Sequence, residues 1–205
     1  MKKIILIVLI NMFIQCHTQK KNEIMIPIID NRFEKFDVNS FNTNSTKDYF
    51  YISKDSTIYI QETQSFGYVE SQFNLNTYFK INKFFFKNGN VKMKGYLFHE
   101  GSAIGIWYHF DESGKLIKEE NTDDGYDFKP EDVVKYCESH KIKLPKGYQD
   151  SVYQTSVYKK EIDGKKVWQI SYVIAVGKEE FIEEITLDGK TGKLIKKKQV
   201  SYINN

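Results

Sequence analysis

One short pattern occurs twice between residues 84 and 121, and it limits the folds open to this chain. The first copy places Asn88-Gly89 after an aromatic run, and the second places Ser113-Gly114 after another aromatic run. Glycine after Asn or Ser between alternating runs is typical of a hairpin turn, because glycine accepts the positive φ that tight turns need. Repeated units of this size predict a β-meander, since each is too small to bury its own apolar face.

This repeat resembles the MORN-like repeats of bacterial antitoxin-type proteins. The resemblance is carried, in order, by Asn88-Gly89, Gly95, Gly105-Ile106-Trp107 and Gly114-Lys115-Leu116. It implies a meander of hairpins over residues 46–122 and a role in binding another protein. Repeats of this kind specify fold better than function.

Aromatic and β-branched runs upstream of the repeat predict further strands. Because these runs lead directly into the repeat, we expect one continuous antiparallel sheet from about Tyr49 to Glu120. Residues 39–46 are rich in Asn, Ser and Thr and are predicted to form a turn-rich loop. They end a segment, residues 16–45, that we expect to be a tether followed by irregular structure.

The pattern changes at residues 121–125, which we assign as a domain boundary. Pro130 and the acidic residues after it predict a helix over about 130–141, and strands follow it. The Trp168 strand and the turn Asp188-Gly189-Lys190-Thr191-Gly192-Lys193 resemble the PepSY domain, over about residues 128–200. The predicted fold class is therefore α+β and mostly antiparallel β: an N-terminal meander, then in residues 127–205 a helix packed on a three- to four-stranded antiparallel sheet.

The N-terminus has the features of an export signal. Residues 1–15 combine two lysines with a short apolar run, which indicates a signal peptide. Phe13-Ile14-Gln15-Cys16 resembles the lipobox of Bacteroidetes-type lipoproteins, although Gln15 is larger than the residue usual there. We therefore expect lipidation at Cys16 and a lipid-anchored position in the cell envelope, on the periplasmic or the surface face. The alternatives are an ordinary secreted protein cleaved nearby and, third, a cytoplasmic protein with an apolar N-terminal strand.

Charge and cysteine content argue against nucleic-acid binding and against a catalytic thiol. The formal net charge is +3, and Lys2 and Lys3 lie in the segment that we expect to be removed. A nearly neutral mature chain argues against nucleic-acid binding. Lipidation of Cys16 would leave Cys137 unpaired, and in a predicted helix such a thiol is expected to be a buried small hydrophobe.

No pattern in the sequence indicates catalysis, and we expect neither a metal site nor a cofactor. His99 and His109 lie on different predicted strands without a third ligand at metal-site spacing. Adjacent carboxylates such as Glu183-Glu184 point to opposite faces of a strand and are expected to be solvated charges. An envelope enzyme with an unrecognised site remains a third hypothesis.

Two functional hypotheses follow. The first is a membrane-anchored, non-enzymatic lipoprotein that binds another protein, in the manner of the immunity or antitoxin proteins that it resembles, with exposed loops 99–105 and 121–128 as contacts. The second is an inhibitor or regulator of an envelope peptidase or other enzyme, as the PepSY resemblance implies, with its contact on the C-terminal sheet. The candidate partner-binding residues are His99, Glu100, Trp107, Asp123, Asp124, Tyr126, Trp168 and Tyr172.

Overall fold

The computed structural model describes residues 24–46, 49–149 and 155–201, so the predicted signal peptide and Cys16 lie outside the described residues. Within these ranges the chain forms two antiparallel sheets and two helices, which confirms the mostly antiparallel β class. The elements in chain order are α1 Val38–Asn44, β1 Tyr49–Lys54, β2 Thr57–Gln64, β3 Gly67–Asn74, β4 Phe79–Phe86, β5 Val91–Phe98, β6 Ala103–Phe110, β7 Leu116–Asn121, α2 Pro130–Ser139, β8 Ser156–Ile162, β9 Lys165–Val176, β10 Glu179–Asp188 and β11 Leu194–Ser201.

The first sheet contains β1 to β7 in chain order, so successive strands are joined as hairpins. The pattern written twice in the sequence forms the same turn twice. Gly89 N–H donates to the carbonyl of Phe86 at 2.9 Å, and Gly114 N–H donates to that of Asp111 at 3.0 Å. Both glycines have positive φ, and the strand after each turn has one extra residue in its pairing register, Lys92 in β5 and Ile117 in β7.

The segment before the first sheet is part of the folded body. The prediction of a loop over residues 39–46 is wrong, because α1 occupies most of it. The Asp37 carboxylate caps this helix by accepting a hydrogen bond from Ser40 N–H at 2.9 Å. Phe41 is 1% exposed and packs with Phe36 against one face of the sheet. The cap and the buried ring outweigh the local preference of Asn, Ser and Thr for turns.

The second sheet has the order β11-β10-β9-β8, and α2 lies against one of its faces. The helix predicted over about 130–141 ends at Ser139. Its N-terminus is capped by Asp132, whose carboxylate accepts a hydrogen bond from Lys129 N–H at 3.2 Å. Three residues of α2 are fully buried against Trp168 and Ile170: Val133, Val134 and Cys137. The face of β9 that carries Trp168 therefore packs on the helix, as the sequence predicts.

The two sheets are separate but share one core, which answers a question that the sequence leaves open. Phe79, Phe98 and Ile104 of the first sheet belong to the same buried cluster as Trp168. The rings of Phe98 and Trp168 meet edge to face at 5.9 Å between centroids. This continuity makes the two sheets one packed unit rather than two units joined by a linker.

Candidate partner-binding surface

Trp168 and Tyr126, two of the candidate binding residues, lie in the shared core. Trp168 has no exposed surface, and its indole N–H donates to the carbonyl of Phe128 at 2.9 Å. Tyr126 is 5% exposed, and its ring lies 5.2 Å from that of Trp168. The prediction that these two residues form part of a contact surface is therefore wrong. Both side chains are buried, and they pack the helix, the sheet and the 121–128 loop together.

Trp107 is also buried, at 6% exposure, and packs flat within the first sheet. Its indole N–H donates to the carbonyl of Tyr96 at 3.1 Å. The ring covers Gly95, where a Cβ atom would lie 2.3 Å from the indole. Close approach of the ring to the backbone is the physical reason for glycine at this position of the repeat, and it removes Trp107 from the accessible surface.

The loop over residues 99–105 is not the exposed loop that the sequence predicts. Ser102 N–H donates to the carbonyl of Val157 at 3.0 Å, and Val157 N–H donates to that of Glu100 at 2.8 Å. These bonds attach the loop to β8, so it joins the two sheets, although the Glu100 side chain itself is exposed. A binding role for the loop would require this junction to open.

His99 lies at the base of this loop and is 2% exposed. Among the described residues, neither of its ring nitrogens has a hydrogen-bond partner. Burial lowers its pKa to about 4, because desolvation disfavours the imidazolium; the backbone groups of Phe79 and Gly147 oppose this shift, and the nearby Lys80 adds to it. His99 is therefore a neutral core residue at neutral pH.

Asp123 and Lys159 form an ion pair between the 121–128 loop and β8. Both side chains are nearly buried, at 12% and 8% exposure. Asp123 also accepts a hydrogen bond from Gly105 N–H at 2.9 Å, and the Lys159 ammonium lies over the ring of Trp168. Burial lowers the pKa of Lys159, and Asp123 opposes that shift. Of the three candidate binding residues in this loop, Asp124 alone is exposed.

Tyr172 is half-buried and lines a groove of about 650 Å³ beside residues 141–146. Its hydroxyl donates to Glu183 at 3.1 Å, and burial together with that carboxylate raises the pKa of Tyr172 to about 12. Glu183 is 4% exposed and pairs with Lys197, so the expectation of a solvated Glu183 is wrong. The ammonium of Lys197, on the neighbouring strand β11, balances the charge of the buried Glu183 carboxylate.

Cys137 is fully buried, as predicted, and burial raises its pKa to about 12. A thiol in that state is a poor nucleophile. Across residues 24–46, 49–149 and 155–201, no group of three or more His, Cys, Asp or Glu side chains could hold a metal ion. In the same ranges no helix is long and apolar enough to cross a membrane.

The second sheet has an uncovered face, opposite Trp168 and α2, that sequence reasoning missed. Cross-strand partners place Lys160 beside Val167, and Thr186 between Gln169 and Lys196. A groove of about 550 Å³ runs over this face. We call it the open lysine face, and its lining residues are Lys160, Ile162, Asp163, Lys165, Val167, Gln169, Glu184, Thr186, Ile195, Lys196 and Lys198.

Positive charge exceeds negative charge on the open lysine face, where four lysines lie with two carboxylates, Asp163 and Glu184. Glu184 accepts a hydrogen bond from Gln169 at 2.9 Å and pairs with Lys198 at 2.8 Å. Within the described part of the chain, Lys160, Lys165 and Lys196 have no ion-pair partner. Three exposed ammonium groups therefore surround an apolar floor. The alternation of residues along β9 could have predicted this face. Residues of β9 that alternate with Trp168 must point away from the face that packs on α2.

Comparison with known proteins gives no relative for this chain: no protein-family model, no curated protein and no solved structure matches it.

Proposed function

We propose that this chain is a non-enzymatic, lipid-anchored protein of the bacterial cell envelope that binds another protein through the open lysine face. The observation that supports the proposal is the combination on one uncovered sheet face of unpaired lysines and an apolar groove. A sheet whose other face is packed presents such a surface rigidly, which lowers the entropic cost of binding.

The charge of this face favours an acidic partner. Lys160, Lys165 and Lys196 lie on three different strands, so the positive potential covers the sheet rather than one edge. Complementary potentials accelerate encounter and fix register. A partner that presents Asp and Glu side chains around an apolar centre would match the groove.

Apolar side chains supply the remaining contact area. Ile162 is 43% exposed and Ile195 is 52% exposed on the two sides of the groove, and Val167 forms its buried floor. Exposed apolar residues surrounded by polar ones are typical of protein interaction sites. Nucleic acid would use the lysines but not this apolar part, so we propose no nucleic-acid partner.

The resemblance of residues 84–121 to MORN-like repeats favours an immunity or antitoxin-type role, in which the partner is a toxin. The alternative is a PepSY-like inhibitor or regulator of an envelope peptidase or other enzyme. The observation that favours the alternative is the arrangement of α2 against a four-stranded antiparallel sheet whose last hairpin turns at residues 188–193. Both readings use the same open face and differ in the class of partner.

The experiment is a pull-down from envelope extract with the mature chain carrying Cys16→Ser, followed by mass spectrometry. The test variant is K160E/K165E/K196E, and the matched control is K54E/K87E/K115E, which reverses three exposed lysines of the first sheet and its turns. A stoichiometric partner with an acidic surface, lost with the test variant and retained with the control, would support the proposal. Equal capture by both variants would refute the assignment of the face.

A further inference from the structure

The described chain begins with a patch of exposed apolar side chains that the core does not use. Ile28 is 94% exposed, Met25 is 55% exposed and Ile26 is 37% exposed. Three large apolar residues exposed within four successive positions are unusual for a surface that meets only water. We call residues Met25, Ile26 and Ile28 the N-terminal apolar patch.

The patch is held in place at both of its ends. Ile24 packs against the shared core of the two sheets. Ile29 N–H donates to the Tyr96 hydroxyl at 2.8 Å. Because the flanking residues are fixed to the folded body, the apolar side chains between them project from a defined position on its surface.

Chain length limits what this patch can meet. About nine residues separate Met25 from Cys16, and a fully extended chain of that length spans at most roughly 30 Å. If Cys16 carries the lipid anchor of the proposed function, the patch cannot move farther than that from the membrane surface. Apolar side chains kept so near a bilayer gain free energy by entering its interface.

We infer that the N-terminal apolar patch is a lipid-contact site, at which Met25, Ile26 and Ile28 enter the membrane interface beside the anchor. This inference rests on the anchor of the proposed function but not on its protein partner. The contact would orient the body relative to the membrane, because a second point of attachment restricts rotation about the tether. Burial of three such side chains contributes about as much as several methylene groups of an acyl chain.

The test uses the full chain, acylated in a bacterial host and reconstituted in phosphatidylethanolamine–phosphatidylglycerol vesicles that contain brominated lipid. Tryptophan is introduced as Ile28→Trp, with Ile117→Trp as the control, since Ile117 is 62% exposed on β7. The native Trp107 and Trp168 are buried and supply a constant background. Mass spectrometry of the purified protein determines whether Cys16 is acylated.

Loss of most of the added emission at position 28, with little loss at position 117, would support the lipid-contact site. Acylation of Cys16 with equal quenching at both positions would overturn the inference and leave the proposed function intact. A chain without acylation at Cys16 would overturn the inference together with the anchor. Binding of the acidic partner is measured separately in the pull-down, so failures of the two proposals are distinguishable.

Discussion

Lys83 and Lys94 lie directly opposite each other on β4 and β5, and Glu34 of the N-terminal segment contacts both ammonium groups. Lys94 has no exposed side-chain surface, and its ammonium also donates to the carbonyl of Arg32 at 2.7 Å. Like charges opposite each other destabilise a sheet. The segment before the sheet therefore supplies a carboxylate without which two lysines would repel each other in a largely buried site.

Replacement of Glu34 by Gln should lower the free energy of unfolding by about 2 kcal/mol, because it removes the nearer carboxylate from the buried Lys94 and leaves it with the partly exposed Asp30, 3.5 Å away. The value stays below that for a fully buried pair because Glu34 is 34% exposed. Urea denaturation measures the change. Glu112→Gln, an exposed turn substitution, should have little effect, and an equal loss in both variants would contradict the account.

The same carboxylate predicts a dependence on pH. Burial alone would raise the pKa of Glu34, but hydrogen bonds from Lys83 and Lys94 lower it below its ordinary value. Glu34 therefore contributes to stability at any pH above its pKa in the unfolded chain. This contribution is lost as the pH falls through its lower pKa in the folded chain.

His99 should destabilise the protein progressively as pH falls from about 6.5 towards 4. Its pKa in the folded chain is about 4. The unfolded chain therefore takes up the proton first, and over this window the loss should reach about 3 kcal/mol. His99→Phe should flatten the curve of stability against pH between these values, whereas the exposed His140→Gln should not. A wild-type curve that is already flat above pH 4.5 would refute the burial argument.

The shared core predicts that both sheets unfold in one cooperative transition. Trp107 reports on the first sheet and Trp168 on the second, and they are the only tryptophans in the chain. Variants that keep one tryptophan each, Trp168→Phe and Trp107→Phe, should each give coincident transitions by fluorescence and by circular dichroism. Separate midpoints for the two probes within either variant would show instead that the sheets are independent domains.

Gly95→Ala should destabilise the first sheet by about 1 to 3 kcal/mol, because the new methyl group overlaps the Trp107 ring. The double variant Gly95→Ala with Trp107→Leu relieves the overlap. In the Trp107→Leu background, Gly95→Ala should therefore lower the free energy of unfolding by less than it does in the wild type. A double-mutant cycle in thermal denaturation tests this point, and strict additivity would contradict it.

Local patterns were sufficient to predict the hairpins and the helix. Asn88-Gly89 and Ser113-Gly114 fix turns through backbone conformation, and the alternation around Trp168 correctly identified the face that packs on α2. These signals depend on a few neighbouring residues, so they hold regardless of how distant parts of the chain pack.

Features that depend on distant residues were not predictable from the same patterns. The pairing of Asp123 with Lys159, and of Glu34 with Lys94, joins segments that the sequence gives no reason to bring together. His99 packs edge to face against Phe73, which lies two strands earlier in the chain, and no short motif encodes that contact. Trp107, Tyr126 and Trp168 are core residues rather than surface contacts because residues from other elements pack over their rings.

The open lysine face is the central claim, and site-specific photocrosslinking in intact cells tests it most directly. A photoreactive amino acid replaces Ile195, which lines the groove, or Ile117, which is comparably exposed on the first sheet. We predict a discrete crosslinked protein from position 195 that is absent from position 117 and disappears in the K160E/K165E/K196E background. A crosslink from position 117 alone, or one from position 195 that survives the charge reversal, would contradict the account.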